Sequence, residues 1–309
     1  MRSVDTPAST STRVPCDVTA AGIAGVGQLL AEVFHPVGDP SGAVLVCTPG
    51  GGMSRRYFDL EADGFSMARH LAAAGHTVVT IDPPNIGDSD AATDPCDLTP
   101  DAAARTIAVA VDRVVSQLSD VRTVIGVGHS AGALLTVLAQ AQSRPFAALA
   151  LLGFHGAGLP TALGPAEAAL ADDPAEARCA LPGLVRHRWG TALPVLGTAV
   201  DAGLAGGALP STTRLAMQAA AAPLLGLVGL ASMIPGFVSA ELEELDVPVF
   251  LAVGERDITD PVEKIATELP KAALTTFTLL GSGHNHNASP TRVELWDRLD
   301  AWVQTVVAA

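Results

Sequence analysis

The sequence predicts an α/β fold: a doubly wound, mostly parallel sheet with a helical cap inserted into it. Three observations carry that prediction. Short runs rich in Val, Ile and Leu, bounded by Gly, Pro or Asp, alternate with helical periodicity before residue 156 and again after residue 246. Such alternation requires crossover connections, and therefore parallel pairing with right-handed crossovers. Between the two blocks, residues 157–245 show no clear strand and are mostly Ala, Leu, Gly and Pro. The expected division is a loose arm over 1–15, an α/β core over 16–156 and 246–309, and a helical cap over 157–245.

At 309 residues the chain is long enough for one decorated domain. Hydrophobic residues make up 49% and charged residues 16%, which suits a large core with Ala-rich helices. The formal net charge of -14, with no basic cluster beyond Arg55-Arg56 and Arg186-His187-Arg188, argues against nucleic acid or an anionic membrane as partner. Cys16, Cys47, Cys96 and Cys179 lie far apart and suggest neither a disulfide framework nor a metal site. The first fifteen residues carry no apolar signal segment, so a cytoplasmic protein is expected.

Residues 28–35 (QLLAEVFH) and 43–48 (AVLVCT) read as strands, with a hairpin-like turn over 36–42. The second strand ends in Pro49-Gly50-Gly51-Gly52-Met53, and a helical pattern follows to about Gly75. Residues 76–82 (HTVVTID) are the next strand, and residues 83–89 (PPNIGDS) a turn-rich loop. Thr99 followed by Pro100 is a helix start, with the helix running to about Leu118. Residues 123–132 (TVIGVGHSAG) join a buried strand to a helix through Gly128-His129-Ser130-Ala131-Gly132, and residues 146–152 (FAALALL) form a further strand.

The cap is expected as helical pieces punctuated by prolines. Residues 219–240 carry no charge, so a membrane span must be weighed. Pro223, Pro235, Gly226, Gly229, Gly236 and the lack of basic flanks speak against it, and an apolar lid over an apolar pocket is the better reading. The rhythm resumes with strands over 248–254 (PVFLAVG) and 274–280 (LTTFTLL), a short helix between them, and a closing amphipathic helix over 290–307.

Gly-x-Ser-x-Gly at a strand-to-helix turn is a nucleophile elbow: the turn lifts the serine oxygen clear of the sheet, and the glycines let strand and helix approach. The alternative is a tight glycine turn with an idle serine. A side-chain-free loop at the end of a neighbouring strand can offer N–H donors to an oxyanion, where the bland reading is a flexible linker. A serine nucleophile needs an imidazole to take its proton and a carboxylate to orient that imidazole. Asp257 and His284 both fall just past the ends of strands, on the sheet edge that carries Ser130. Glu255 or Asp260 could be the acid instead, with Asp257 a helix cap, and His286 competes with His284 as the base. A metal held by His284 and His286 would lack a third ligand.

GHSAG, the Pro-Gly-Gly-Gly loop, DPPNIGDS, GERD and GSGH together resemble the α/β-hydrolase family over roughly residues 28–307. The resemblance implies Ser130 as nucleophile, His284 as general base, Asp257 as its orienting acid, and an oxyanion hole from the amides of Ala131 and of Gly51 or Gly52. Where many members carry His-Gly, this chain has Pro49-Gly50. It also implies a cofactor-independent serine hydrolase, acting on a hydrophobic ester or thioester. Carbon–carbon or amide hydrolysis, acyl transfer and non-catalytic ligand binding are the alternatives. Met53, His129, Phe154, Met233 and Phe237 are candidate pocket residues, and the apolar cap segment suggests that hexanoate, octanoate or aromatic esters outperform acetate.

Overall fold

The sheet begins with β1 (Ser11–Asp17), β2 (Gln28–Phe34) and β3 (Ala43–Thr48). After α1 (Met67–Ala73) come β4 (Thr77–Ile81), α2 (Pro100–Val115), β5 (Thr123–His129), α3 (Ala131–Ser143) and β6 (Ala148–Leu152). In this computed structural model, residues 9–171, 173–197 and 201–309 are described. The insertion then supplies α4 (Pro165–Ala168), α5 (Pro174–Trp189), α6 (Ala202–Ala205), α7 (Ser211–Ala220), α8 (Gly226–Ala231) and α9 (Ser239–Glu243). The chain closes with β7 (Val249–Gly254), α10 (Val262–Ile265), β8 (Leu274–Leu279) and α11 (Arg292–Ala308).

The spatial order is β1-β2-β4-β3-β5-β6-β7-β8. From β4 to β8 every neighbour is parallel, while β1 and β2 pair antiparallel at one edge. β3, β6 and β7 are buried along their whole length and β5 from Ile125 onward, as expected of strands covered on both faces. One face packs on α2 and α3, with α5 and α8 of the insertion continuing that core. The other packs on α1 and α11, where Trp296, Leu299 and Trp302 are buried; Val293, expected on the same face, is exposed. Thr99 accepts a hydrogen bond from Ala102 N at 3.2 Å and caps α2, as its sequence predicts.

Two expectations fail. Residues 11–15 are not a loose arm: they belong to β1, whose register with β2 runs from Ser11 opposite Phe34 to Asp17 opposite Gln28. An edge strand tolerates Pro15, which can give no ladder hydrogen bond, and Cys16 is fully buried. Residues 1–8 of that arm lie outside the described residues. Residues 36–42 are not a hairpin either, because β4 lies between β2 and β3. That connection is tied to the turn before β4 by Val37 N to Ala72 O (2.9 Å) and Ser41 N to Gly75 O (2.8 Å).

The insertion is helical, as expected, with one isolated bridge between Met53 and Ala221. Its charge-free stretch is broken into short pieces, and among the described residues no helix is long and apolar enough to cross a membrane. Registers of Thr48 opposite Gly128, His129 opposite Leu152 and Gly254 opposite Leu279 bring the ends of β3, β5, β6, β7 and β8 to one edge. The candidate residues gather there.

Candidate active site

Ser130 leaves β5 with φ 52° and ψ −124°, a conformation that costs a non-glycine residue roughly 1–3 kcal/mol. The surroundings enforce it. Ser130 N donates to Leu152 O at 2.9 Å, and Ser130 O accepts from Ala133 N at 2.8 Å. A Cβ on Gly128 would collide with the backbone of Ala133, and one on Gly132 with the carbonyl oxygens of Thr48 and Pro49. The two glycines of the motif therefore let α3 and the loop after β3 close around a half-exposed serine.

Asp257 is anchored before it touches any imidazole: Gly254 N donates to Oδ2 at 3.0 Å and Ile258 N to Oδ1 at 2.8 Å. His284 Nδ1 lies 2.7 Å from Oδ1, and His286 Nε2 lies 2.9 Å from Oδ2. Burial alone would raise the Asp257 pKa, but the two imidazole hydrogen bonds and their charge hold it well below the usual carboxylate range. An ionised carboxylate only accepts, so each histidine carries its proton on the nitrogen facing Asp257. His284 is left with a bare Nε2, the arrangement of a general base. His286 is left with a bare Nδ1 that is buried without a partner. His284 is 7% exposed and His286 1%.

The other carboxylates serve elsewhere. Glu255 Oε2 accepts from Gly281 N at 2.9 Å, and Asp260 pairs with Lys264 at 2.8 Å beside His155. His284 also packs on the strand end that supports Ser130. A Cβ on Gly153, the residue after the Leu152 carbonyl that receives the Ser130 amide, would lie 3.1 Å from His284 Nδ1. Among the described residues neither Ser130 Oγ nor His284 Nε2 makes a hydrogen bond.

Sequence reasoning missed the scaffold behind the base. Tyr57 stacks on His129 with ring centroids 4.7 Å apart. Asn287 Nδ2 donates to Tyr57 O at 3.1 Å, and Asn287 Oδ1 accepts from Trp296 Nε1 at 2.9 Å. The only signal was the polar run past His284, His-Asn-His-Asn. His129 itself, expected in the pocket, lies beneath the site: its Nε2 donates to His284 O at 2.8 Å. Burial, and then the neighbouring histidines, push its pKa well below the ordinary imidazole value.

On the opposite side of Ser130, Gly50 Cα faces the serine, since a Cβ there would stand 3.2 Å from Ser130 Cβ. A Cβ on Gly51 would stand 3.6 Å from Ala131 Cβ. No main-chain hydrogen bond occupies the amides of Gly51, Gly52 or Ala131 among the described residues. The loop's exit is fixed by Arg55, whose backbone N donates to Asp82 Oδ1 at 2.7 Å and whose buried guanidinium pairs with the Asp82 carboxylate.

A small apolar cavity of about 20 Å³ lies beside this loop, with Met53, Ile86, Leu135, Leu224, Leu225 and Val228 in its wall. Of the five pocket residues expected, only Met53 lines it. Phe154 is buried in the core shared by sheet and insertion, and Phe237 lies under the Arg178 guanidinium at 4.6 Å. Met233 is half-buried and does not line the cavity; its O accepts from Leu159 N at 2.8 Å. The insertion grips the site at two points. Ser54 N donates to Ala220 O and Ala222 N to Gly52 O, both at 2.8 Å, and Arg256 Nη2 reaches Gly206 O at 2.6 Å.

Residues 44–294 match the family model described as the alpha/beta hydrolase family. Solved structures of the same fold include a bromoperoxidase from Bacillus anthracis, at 17% identity and TM-score 0.62 over 96% of this chain and 100% of that one. The esterase EaEST from Exiguobacterium antarcticum aligns at 15% identity and TM-score 0.59, covering 93% of this chain and 98% of its own. The peroxisomal alpha-beta-hydrolase Lpx1 from Saccharomyces cerevisiae aligns at 13% identity and TM-score 0.62, covering 98% and 91%. No curated protein sequence matches the chain.

Proposed function

Because the chain belongs to the alpha/beta hydrolase family, we propose that it is a serine hydrolase that opens an uncharged ester or thioester through an acyl-enzyme. The observation that carries this reading is the strained Ser130 on the same sheet edge as an Asp257–His284 pair at 2.7 Å. In the proposed cycle His284 Nε2 takes the Ser130 proton as Oγ attacks the acyl carbon, and Asp257 stabilises the imidazolium that forms. The amides of Ala131 and of Gly51 or Gly52 receive the oxyanion. The imidazolium returns its proton to the leaving alcohol or thiol, and water, deprotonated by the same nitrogen, releases the acid.

A hydrophobic substrate follows from the wall beside the loop, which holds no charged side chain. The test is covalent labelling by a fluorophosphonate probe, followed by mass mapping. Wild-type protein should be labelled on Ser130, and Ser130→Ala should not be labelled at all. An unlabelled wild type that also leaves p-nitrophenyl esters intact would refute the hydrolase reading.

A further inference from the structure

The cavity beside the oxyanion loop is small, and one side chain in its wall is wedged against that loop. The cavity's volume is about 20 Å³, on the order of one water molecule. Pockets for drug-sized ligands run to roughly 300–1,000 Å³. Leu224 packs into the wall between the loop and α8. Its Cδ1 lies 2.5 Å from where a Gly51 Cβ would stand, and Cδ2 and Cδ1 lie 2.6 and 2.7 Å from where a Gly229 Cβ would stand. The isobutyl group is therefore held between two bare Cα atoms, one in the oxyanion loop and one in α8.

The backbone of Leu224 has little room to retreat. Leu224 N donates to Pro194 O, Gly226 N to Ala192 O and Ala222 N to Gly52 O, all at 2.8 Å. The position matters because Gly51 and Ala131 are the proposed oxyanion donors. An acyl carbon bonded to Ser130 must sit beside their amides, so the chain it carries starts out against Leu224. Beyond lie Met53, Ile86, Leu135, Leu225 and Val228, with no charged group to receive a polar acyl chain.

We propose that Leu224, seated between Gly51 and Gly229, is the specificity-determining side chain of the acyl subsite and restricts the enzyme to compact, uncharged acyl groups of acetyl to butyryl size. This rests on the acyl-enzyme reading of Ser130. It reverses the preference for long chains expected from the charge-free cap sequence, because the cavity that those leucines line is so small.

The experiment is a series of p-nitrophenyl acetate, butyrate and octanoate, measured as kcat/KM. Wild type should favour butyrate over octanoate by at least about tenfold, and Leu224→Ala, which frees three carbons' worth of space, should raise the octanoate-to-acetate ratio by about tenfold or more. Gly229→Ala should act in the opposite sense: its Cβ drives the Leu224 tips into the cavity and lowers the butyrate-to-acetate ratio. Circular dichroism checks that each variant is folded, and if Leu224→Ala is not, the Gly229→Ala ratio decides. A wild type that prefers octanoate, or ratios that neither substitution moves, overturns the gate. Fluorophosphonate labelling separates the two readings: labelled Ser130 with unmoved ratios removes the gate alone, whereas no labelling and no ester cleavage removes both.

Discussion

Asp257, at the end of β7, accepts hydrogen bonds from two imidazoles and two main-chain amides, whereas the loop after β3 presents no side chain at all from Gly50 to Gly52. The acid–base side of the site is defined by polar atoms that must be present. The oxyanion side is defined by atoms that must be missing, so that Ser130, Ala131 and Leu224 can approach a bare backbone. The two sides should fail differently: removing a polar group on the first kills chemistry and leaves the fold, while adding a methyl on the second damages geometry.

The largest expected effect is on chemistry. Ser130→Ala and His284→Ala should each lower kcat/KM for a p-nitrophenyl ester by roughly 10⁴- to 10⁶-fold, with Asp257→Asn somewhat milder, while far-ultraviolet circular dichroism stays native. Full activity in His284→Ala beside a dead His286→Ala would exchange their roles. Next comes the methyl test. Gly132→Ala places a Cβ against the main-chain carbonyls of Thr48 and Pro49, which cannot step aside as a flexible side chain can. It should lower the thermal midpoint and the activity together, and a variant with native stability and rate would show that the elbow has slack.

His286→Asn should fall between these extremes. Asp257 keeps its bonds to His284, Gly254 N and Ile258 N, so the loss should be about ten- to a hundredfold, the scale seen when a partner that orients a functional imidazole is removed. It should appear in kcat and leave KM nearly unchanged.

The smallest effect is on stability against pH. His129 has its pKa pushed down by burial, so between about pH 6.5 and the depressed folded value the unfolded chain binds a proton that the native chain does not. Stability from this group is complete above about pH 6.5 and falls as the pH drops below it, by up to about 1.4 kcal/mol per pH unit. Asp257 acts in the same sense, but only below its unfolded value near 3.9. Denaturant melts between pH 7 and pH 5 should therefore show a shallower loss for His129→Gln than for wild type. Parallel slopes would place the acid sensitivity elsewhere.

The same contrast explains what could be read from the sequence. Ser130, Asp257 and His284 were legible because each sits at a fixed offset from a strand end, and parallel strands align their ends. Gly51 was legible because a missing side chain is itself a letter, and Ala131 because it follows the motif serine. His286 on the second carboxylate oxygen, Asn287 on Tyr57 and Leu224 between two distant glycines were not, because each depends on a tertiary approach with no local period. β1 was missed for a related reason: Ser11–Asp17 has little apolar content of its own and becomes a strand only by pairing with β2.

The stitching of the insertion to the oxyanion loop has a consequence for engineering. Ser54 N to Ala220 O, Ala222 N to Gly52 O and the Met53–Ala221 bridge make residues 220–222 part of the structure that holds the loop after β3. A chimera cut where the chain enters and leaves the insertion, at residues 157 and 245, would exchange the insertion and at the same time unfasten the loop proposed to hold the oxyanion. A working graft would have to keep residues 220–222 with the recipient core, treating them as an extra strand-like rung that the core borrows from its own insertion.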